Sequence, residues 1–426
     1  MEKSNQNKIK IDYVPIEKIK PSSYNPRKLS SAQEAELTKS IQKFNLVDPF
    51  IVNRHKGREF QLVGGHQRYK IALKLGYKEV PVVWVDLTKE KELELNLRLN
   101  ANTGSWDFEM LKDFNVELLM DVGFSDIEMS NIWDDAIGVE NDDFDIDKNI
   151  KIAKTTKIKS GDLFKLGNHY LLCNDSTDIS NVKKLVGKNK IDCINNDILY
   201  NIGLDYDLGI GGKKNYGGDV NDKKSDQEYR DFIVKLINNS LAVAQKDVHV
   251  FFWCAEKYIG MLQETFKATG IKEKRICLWI KDNQNPTPQI AFNKVTEFCV
   301  YGTIGNPYLS EKIKNLNEIL NKEVATGNRL IDDILDLFNI WLVKRLPASK
   351  YLHPTTKPPA LYEKSLRRCT KPGDTVLDLC AGSGSLLIAC EQLKRRAFLC
   401  EISPIFTQLI INRYETLTNN KAQKLN

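Results

Sequence analysis

Val376-Leu377-Asp378-Leu379-Cys380-Ala381-Gly382-Ser383-Gly384-Ser385 is followed, one helix later, by Cys400-Glu401. Val376 to Leu379 is apolar enough for a buried parallel strand. Gly382 and Gly384 let the backbone turn tightly and approach a ligand closely. Leu386 to Leu393 reads as the helix, and Ala397 to Cys400 as the next strand. Glu401 at the carboxyl end of that strand can accept two hydroxyl hydrogen bonds from a ribose. Strand, glycine turn, helix and strand make an α/β nucleotide-binding unit, and one glycine turn does not say which nucleotide. The three-glycine spacing of dinucleotide sites is absent, which argues against NAD.

The chain around this unit has 426 residues, 42% of them hydrophobic, with a formal charge of +6. That length allows two or three domains, and the mild positive charge permits nucleic-acid binding without demanding it. Nine cysteines occur with no C-x-x-C pair. Neither a zinc site nor a disulfide framework is indicated, and no metal is expected. Cys380, Cys390 and Cys400 fall in predicted core elements and suit a reducing cytoplasm. The N-terminus is polar and lysine-rich, without an apolar signal segment, and no stretch reaches membrane-spanning length.

Lys8–Val14, Phe50–Val52, Phe60–Val63 and Val80–Val85 read as strands, with helices over Ser31–Phe44 and Tyr69–Leu75. Residues 89–135 read as helical, and the acidic run 140–147 reads as a solvated linker. From Thr156 strands and helices alternate to residue 417, and residues 419–426 are expected to fray. Residues 306–350 show no strand pattern and read as a largely helical insertion.

Upstream of the glycine turn lie His353-Pro-Thr-Thr-Lys357-Pro358 and Lys371-Pro-Gly-Asp374. With it they resemble the S-adenosylmethionine (SAM) site of DNA amino-methyltransferases. Gly161 to His169 and Cys173-Asn-Asp175-Ser176-Thr177 resemble the entry segment of that fold. The resemblance implies that Asp175, Ser176, Lys357, Asp378, Leu379, Gly382, Gly384 and Glu401 bind the cofactor, with Asp175 and Ser176 at the adenine end. It covers about residues 156–417. The catalytic-type segment comes first, the recognition insertion second and the SAM turn last, which is the beta-class order.

Asp197-Ile198-Leu199-Tyr200-Asn201 stands where the family has Asp-Pro-Pro-Tyr, often followed by Asn. The exocyclic amine of a base is a poor nucleophile because its lone pair spreads into the ring. Acceptors must draw it toward tetrahedral geometry while an aromatic ring stacks on the flipped base. The resemblance gives Asp197 the first role, Tyr200 the second, and includes Asn201 in the catalytic set. Both prolines, which would hold the turn rigid, are replaced. Lys281, Asp282 and Glu297 fall at predicted strand ends, in segments that the resemblance places near the target-base pocket. Lys344, Arg345 and Lys350 in the insertion are candidates for phosphate contacts. A cytosine-carbon methylase is not indicated, because its Pro-Cys nucleophile is missing.

Asn25-Pro26-Arg27, Leu46 to Val52 and Gly64-Gly-His-Gln-Arg68-Tyr-Lys-Ile-Ala72 resemble the ParB/sulfiredoxin-like domain over roughly residues 10–107. A glycine turn opening a helix offers free N–H groups and a positive dipole end to a phosphate, and Arg27 and Arg68 would add forked contacts. His66 and Gln67 depart from the acidic residue and arginine of the ParB pattern, which puts nucleotide hydrolysis in doubt.

The expected fold is therefore α/β, a SAM-dependent methyltransferase Rossmann-like fold with a separate N-terminal ParB-like α+β domain. The expected divisions are 1–107, a helical segment and acidic linker over 108–155, and the methyltransferase over 156–426. The expected function is methylation of an exocyclic amine in double-stranded DNA, adenine favoured because aspartate rather than serine opens the motif. Two alternatives stand beside it. One is a DNA-binding or regulatory protein on a degenerate methyltransferase fold; the other is a nucleotide-responsive ParB-like DNA clamp. The resemblance leaves a homodimer open.

Overall fold

The computed structural model describes residues 9–22, 24, 27–28, 31–100, 105–106, 108–124, 126–133, 139–142, 144, 146–203, 222–281, 291–292, 294–310, 339–343 and 357–425. They form two compact units, divided between Ile132 and Trp133. Lys344, Arg345, Lys350 and Asp282 lie outside the described residues, as does most of the expected helical insertion.

The first unit holds β1 (Ile11–Pro15), α1 (Ser31–Phe44), β2 (Phe50–Asn53), β3 (Gln61–Gly64), α2 (His66–Lys74), β4 (Glu79–Val85) and α3 (Lys89–Asn100). Its sheet runs β1-β4-β2-β3, with only the β4–β2 pair parallel. Val14, Phe50, Val52, Leu62, Val80 and Val82 point to one core. Helix α2 begins three residues earlier than the apolar pattern suggests, because Gly65 adopts φ +98° and caps it. Arg27 pairs through its backbone with Trp106.

The second unit is built on ten strands. In chain order its elements are α4 (Ile146–Ala153), β5 (Leu163–Leu166), β6 (His169–Cys173), α5 (Ile179–Val186), β7 (Ile191–Asp197), α6 (Asp226–Val243) and β8 (Ala244–Cys254). There follow α7 (Ile259–Ala268), β9 (Lys272–Ile280), β10 (Thr296–Ile304), β11 (Ile340–Leu342) and α8 (Ala360–Cys369). Last come β12 (Thr375–Asp378), α9 (Ser385–Gln392), β13 (Arg396–Glu401), α10 (Pro404–Thr418) and β14 (Gln423–Lys424). The sheet order is β11-β9-β10-β8-β7-β12-β13-β6-β5-β14. Strands β8, β7, β12, β13 and β6 pair in parallel. They are covered on both faces, as parallel strands must be. Cys193, Phe251, Trp253, Val376 and Leu399 pack on one side. Ile194, Val250, Phe252, Leu377 and Phe398 pack on the other.

Helix starts follow local chemistry. Ser225 and Glu228 form a reciprocal capping box at α6, with Ser225 N–H donating to Glu228 Oε2 at 2.8 Å. Helix α10 opens with Ser403 as cap and Pro404 in the first turn, and stops at Asn419 in the left-handed region.

Three expectations are corrected. Ile340–Leu342 is a strand, parallel to β9, inside the segment read as strandless; three residues are too few to show alternation. Gln423–Lys424 does not fray but pairs with β5, and Leu425 N–H donates to Leu163 O at 2.8 Å. The acidic run is not simply solvated: Asp142 forks onto buried Arg413 at 2.6 Å, and Phe144 packs against Ile150, Phe406 and Leu409. One strong carboxylate–guanidinium pair outweighs the loss of hydration that the charge pattern suggested.

Candidate active site

Strands β7 and β12 lie side by side, and the chain leaves them in opposite directions, β7 toward β8 and β12 toward β13. Ligands of open α/β sheets bind at such a switch point, beyond the carboxyl ends of the strands. A cavity of about 560 Å³ opens there. Asp197 ends β7, Leu379 follows β12 and Glu401 ends β13, and all three line it.

Two buried asparagines that carried no signal in the motif hold the β7 end. Asn196 Oδ1 accepts from Leu379 N–H at 2.7 Å, and its Nδ2 donates to Ser240 Oγ at 3.2 Å. Asn195 Oδ1 accepts from Trp253 Nε1 at 3.3 Å. The strand carrying Asp197 is thus tied to the first residue of the glycine turn. In that turn Gly382 has φ +53° and Gly384 φ +78°, conformations open to glycine. A Cβ on Gly384 would stand 3.0 Å from Ile410 Cγ1, so α10 packs directly on the turn.

Glu401 is buried on the cavity wall, accepting from Gly382 N–H at 2.8 Å and Ser403 N–H at 2.9 Å. Among the described residues no cation pairs with it. Burial pushes its carboxyl up to about 7, against the pull of the backbone N–H groups of Ser403, Gly382 and Ile402. Ile402 and Phe406 give an apolar wall beside it, and Asp175, Ser176 and Thr177 line another part of the cavity. Ser176 Oγ donates to Leu379 O at 2.8 Å.

At the other part lie Asp197, Tyr200 and Lys357. Lys357 donates to Asp197 Oδ1, donates to the Tyr200 hydroxyl at 2.8 Å, and stands 3.5 Å from Glu297 Oε2. Its ammonium lies over the rings of Tyr200 and Trp253, 4.8 and 5.3 Å from the centroids. Tyr200 donates to Glu297 Oε2 at 2.8 Å, and Lys281 donates to Glu297 Oε1. Two carboxylates and two ammonium groups therefore form one closed network. Burial raises the Asp197 carboxyl, which Lys357 pulls back down in part. Burial would also raise Glu297, but Lys357 and Lys281 outweigh it and hold the group at about 2. Lys357 stays protonated: burial disfavours its charge, and Asp197 and Glu297 restore it.

The cavity thus gathers Asp175, Ser176, Leu379, Gly382, Glu401, Lys357, Asp197 and Tyr200. Three of the catalytic and cofactor candidates sit outside its lining. Asp378 is buried beneath it, accepting from Cys380 N–H at 3.0 Å, and burial pushes its carboxyl up to about 8. Gly384 lies against Ile410. Asn201 bolts a loop: it donates to Lys224 O at 3.0 Å and to the Tyr258 hydroxyl at 2.5 Å, while its Oδ1 accepts from Lys224 N–H at 2.7 Å. Phe232, Lys224 and Lys235, at or near α6, also line the cavity. Nothing in their sequence distinguished them from an ordinary amphipathic helix face.

In the first unit, Gly65 and α2 present the expected turn, with Arg68 in the first turn of the helix. Arg68 is already engaged, 2.6 Å from Asp48 Oδ2 and over the Phe50 ring. His66 faces inward, and burial drives its imidazole down to about 4, with Lys70 adding to the effect.

The family model described as DNA methylase matches residues 191–412, more than half of the chain, and the chain belongs to that family. S-adenosylmethionine is the methyl donor of the family. The model of the ParB N-terminal domain matches residues 1–101. The type II methyltransferase M.HindIII of Haemophilus influenzae is 25% identical over 301 residues, 58% of this chain and 96% of that protein. The chromosome-partitioning protein Spo0J of Thermus thermophilus is 40% identical over 85 residues, 20% of this chain; the chain spans 31% of that relative's length. Among solved structures, the M1.HpyAVI–SAM complex covers 57% of this chain and 97% of its own, at 20% identity and a TM-score of 0.41. No helix among the described residues is long and apolar enough to cross a membrane, and none of their side chains cluster as a metal site.

Proposed function

We propose that the second unit transfers a methyl group from SAM to an exocyclic amine of double-stranded DNA, with adenine as the base. The observation that carries this reading is the joining of Glu401 and Asp197 in one cavity. The residues fit the cofactor. The volume lies within the roughly 300–1,000 Å³ usual for small-molecule sites. Glu401 is a buried carboxylate with which no cation pairs among the described residues, placed to accept ribose hydroxyls, and Phe406 and Ile402 suit the face of an adenine. When bound, SAM supplies an electrophilic methyl group.

The chain's own groups prepare the acceptor. Asp197 accepts an N–H of the base amine; a carboxylate has about four acceptor positions, so Lys357 and the amine share it. Tyr200 offers its ring to the flipped base, and the bond to Glu297 fixes the ring's orientation. Lys357 and Lys281 together balance the two carboxylates, so that a neutral base enters a site of no net charge. Burial makes Asp197 a better proton acceptor than an ordinary aspartate, which suits it to take the proton the amine releases. Asn201 serves as a structural bolt under this arrangement. The first unit is proposed as a DNA-contacting platform rather than a nucleotide hydrolase, since neutral, inward-facing His66 offers no carboxylate.

The test is to incubate the full chain with labelled SAM and duplex DNA and identify the modified nucleoside by mass spectrometry. N6-methyladenine supports the reading. N4-methylcytosine keeps the chemistry and changes the base. SAM binding with no modification of any duplex leaves a methyltransferase fold serving another purpose.

A further inference from the structure

The segment preceding the second unit's sheet is built into the cofactor turn. Val139 N–H donates to Glu363 Oε2 at 2.9 Å, and Glu140 exchanges two hydrogen bonds with the Gln392 side chain, at 2.8 and 3.0 Å. Asp142 then meets Arg413 through both carboxylate oxygens, at 2.6 Å each. Arg413 is only 2% exposed, although it lies on α10, whose other residues Phe406 and Ile410 touch the cavity and the turn. Its remaining nitrogen reaches inward, donating to Ser383 O at 2.9 Å and Ser385 Oγ at 3.1 Å. Ser385 Oγ in turn donates to the backbone carbonyl of Lys357 at 2.5 Å. Ser383 sits between the two left-handed glycines. One guanidinium therefore joins three things: the strap, the glycine turn and the backbone of the lysine that holds Asp197.

We propose that Asp142 and Arg413 are positioning residues of the SAM site, the strap carboxylate fixing the arginine that sets the shape of the Gly382–Gly384 turn. The inference rests on the reading of this cavity as the SAM site. A guanidinium has a rigid planar fork, so its aim depends on a bidentate partner. Without Asp142, Arg413 keeps its charge in a buried place and turns toward other acceptors. The carbonyl of Ser383 then loses its fixed donor. The turn residues have glycine's freedom on either side, and nothing else among the described contacts reaches that carbonyl.

The experiment measures SAM affinity by calorimetry and apo melting in the full chain. Asp142→Asn is expected to weaken SAM binding roughly ten- to a hundredfold, the range for lost charged hydrogen bonds. Gln392→Ala removes another of the strap's side-chain anchors, away from the turn. It is expected to lower the melting midpoint and leave SAM affinity unchanged. Asp142→Glu, which keeps the charge, should recover part of the affinity. Should Asp142→Asn fail to fold, Arg413→Lys serves: it keeps an ion pair with Asp142 and loses the second arm to Ser383 and Ser385, so the same weakening is expected. SAM affinity equal to wild type in a folded Asp142→Asn or Arg413→Lys overturns the inference. So does an equal loss in Gln392→Ala, which would make the strap a general stabiliser. Absence of SAM binding in the wild type would instead remove the reading of the cavity itself.

Discussion

Lys357 donates to Asp197 across 160 residues of chain, and to the hydroxyl of Tyr200 at 2.8 Å, with its side chain 3% exposed. The lysine that the family resemblance places at the cofactor end is therefore a partner of the Asp197 carboxylate. Lys357→Met would leave Asp197 and Glu297 facing each other with Lys281 alone. Removing one member of a buried charge set costs on the order of 3–5 kcal/mol. The expected outcome is a marked loss of stability in denaturant titration and a fall in methyl transfer of roughly a hundredfold or more. Wild-type turnover in this variant would show that the lysine is dispensable to the chemistry.

Asp197→Ala separates chemistry from binding. In the proposed reaction its hydrogen bonds to the amine would matter most as the nitrogen becomes tetrahedral, acting on the transition state rather than on the cofactor. Methyl transfer should vanish while SAM affinity, read by calorimetry, stays nearly intact. A large loss of SAM affinity would instead make Asp197 part of the cofactor wall.

Glu401 gives a pH dependence with a definite sign. Its folded carboxyl is pushed up to about 7 from an ordinary 4.5. The unfolded chain loses this proton near pH 4.5, and the folded chain keeps it to about pH 7. The contribution of this one group to the stability of the apo protein therefore falls as pH rises through that window, by up to about 3 kcal/mol, and is level above it. Glu401→Gln removes the titration. Its stability relative to wild type should climb between pH 4.5 and 7, while its SAM binding weakens by about 1.5–3 kcal/mol. Melting curves at pH 4, 5.5, 7 and 8 check this, and a difference that does not change with pH would refute the burial argument.

The glycine turn, its flanking strands and Glu401 were legible because each depends on local sequence: an apolar run, left-handed glycines and a strand-end acid. Helix α1 was read to the residue for the same reason. What sequence concealed was contact between distant segments. Asn195 and Asn196 look like polar interruptions of a strand, and their use appears only when Leu379, Ser240 and Trp253 are packed against them. Asp142 sat in an acidic run whose average property is solvation, and its buried partner is 271 residues away. Asn201 was assigned by motif, whereas its bonds to Lys224 and Tyr258 depend on where the chain returns after residue 221.

The two turn glycines should differ in tolerance. At Gly382 a Cβ would meet nothing nearer than Cys380 O at 3.9 Å, so alanine there pays chiefly the left-handed backbone penalty of about 1–2 kcal/mol. At Gly384 the same penalty is joined by a Cβ 3.0 Å from Ile410 Cγ1 and 3.2 Å from its Cγ2, on a helix whose position the turn needs. Gly384→Ala is expected to be the more destabilising in thermal melts. Equal losses would mean that α10 yields freely to the added methyl.

The replaced prolines can be tested one at a time, because the two positions differ. Ile198 is 2% exposed and packed in the core beside Ile194, so Ile198→Pro exchanges aliphatic contacts for a smaller ring and should cost about 1–3 kcal/mol. Both residues line the cavity, but what the fold uses of Leu199 is its carbonyl, which accepts from the Tyr229 hydroxyl. Proline also has that carbonyl. Leu199→Pro should therefore fold nearly as well as wild type while stiffening the turn between Asp197 and Tyr200. If turn rigidity limits the reaction, this variant raises the methyl-transfer rate on duplex DNA without changing SAM affinity, since misplacement of an acceptor by an ångström can cost on the order of a hundredfold. A fall in rate with unchanged stability would show that the natural leucine shapes the base pocket. If the wild type is inert and Leu199→Pro is active, the natural dipeptide acts as a brake on a site otherwise complete.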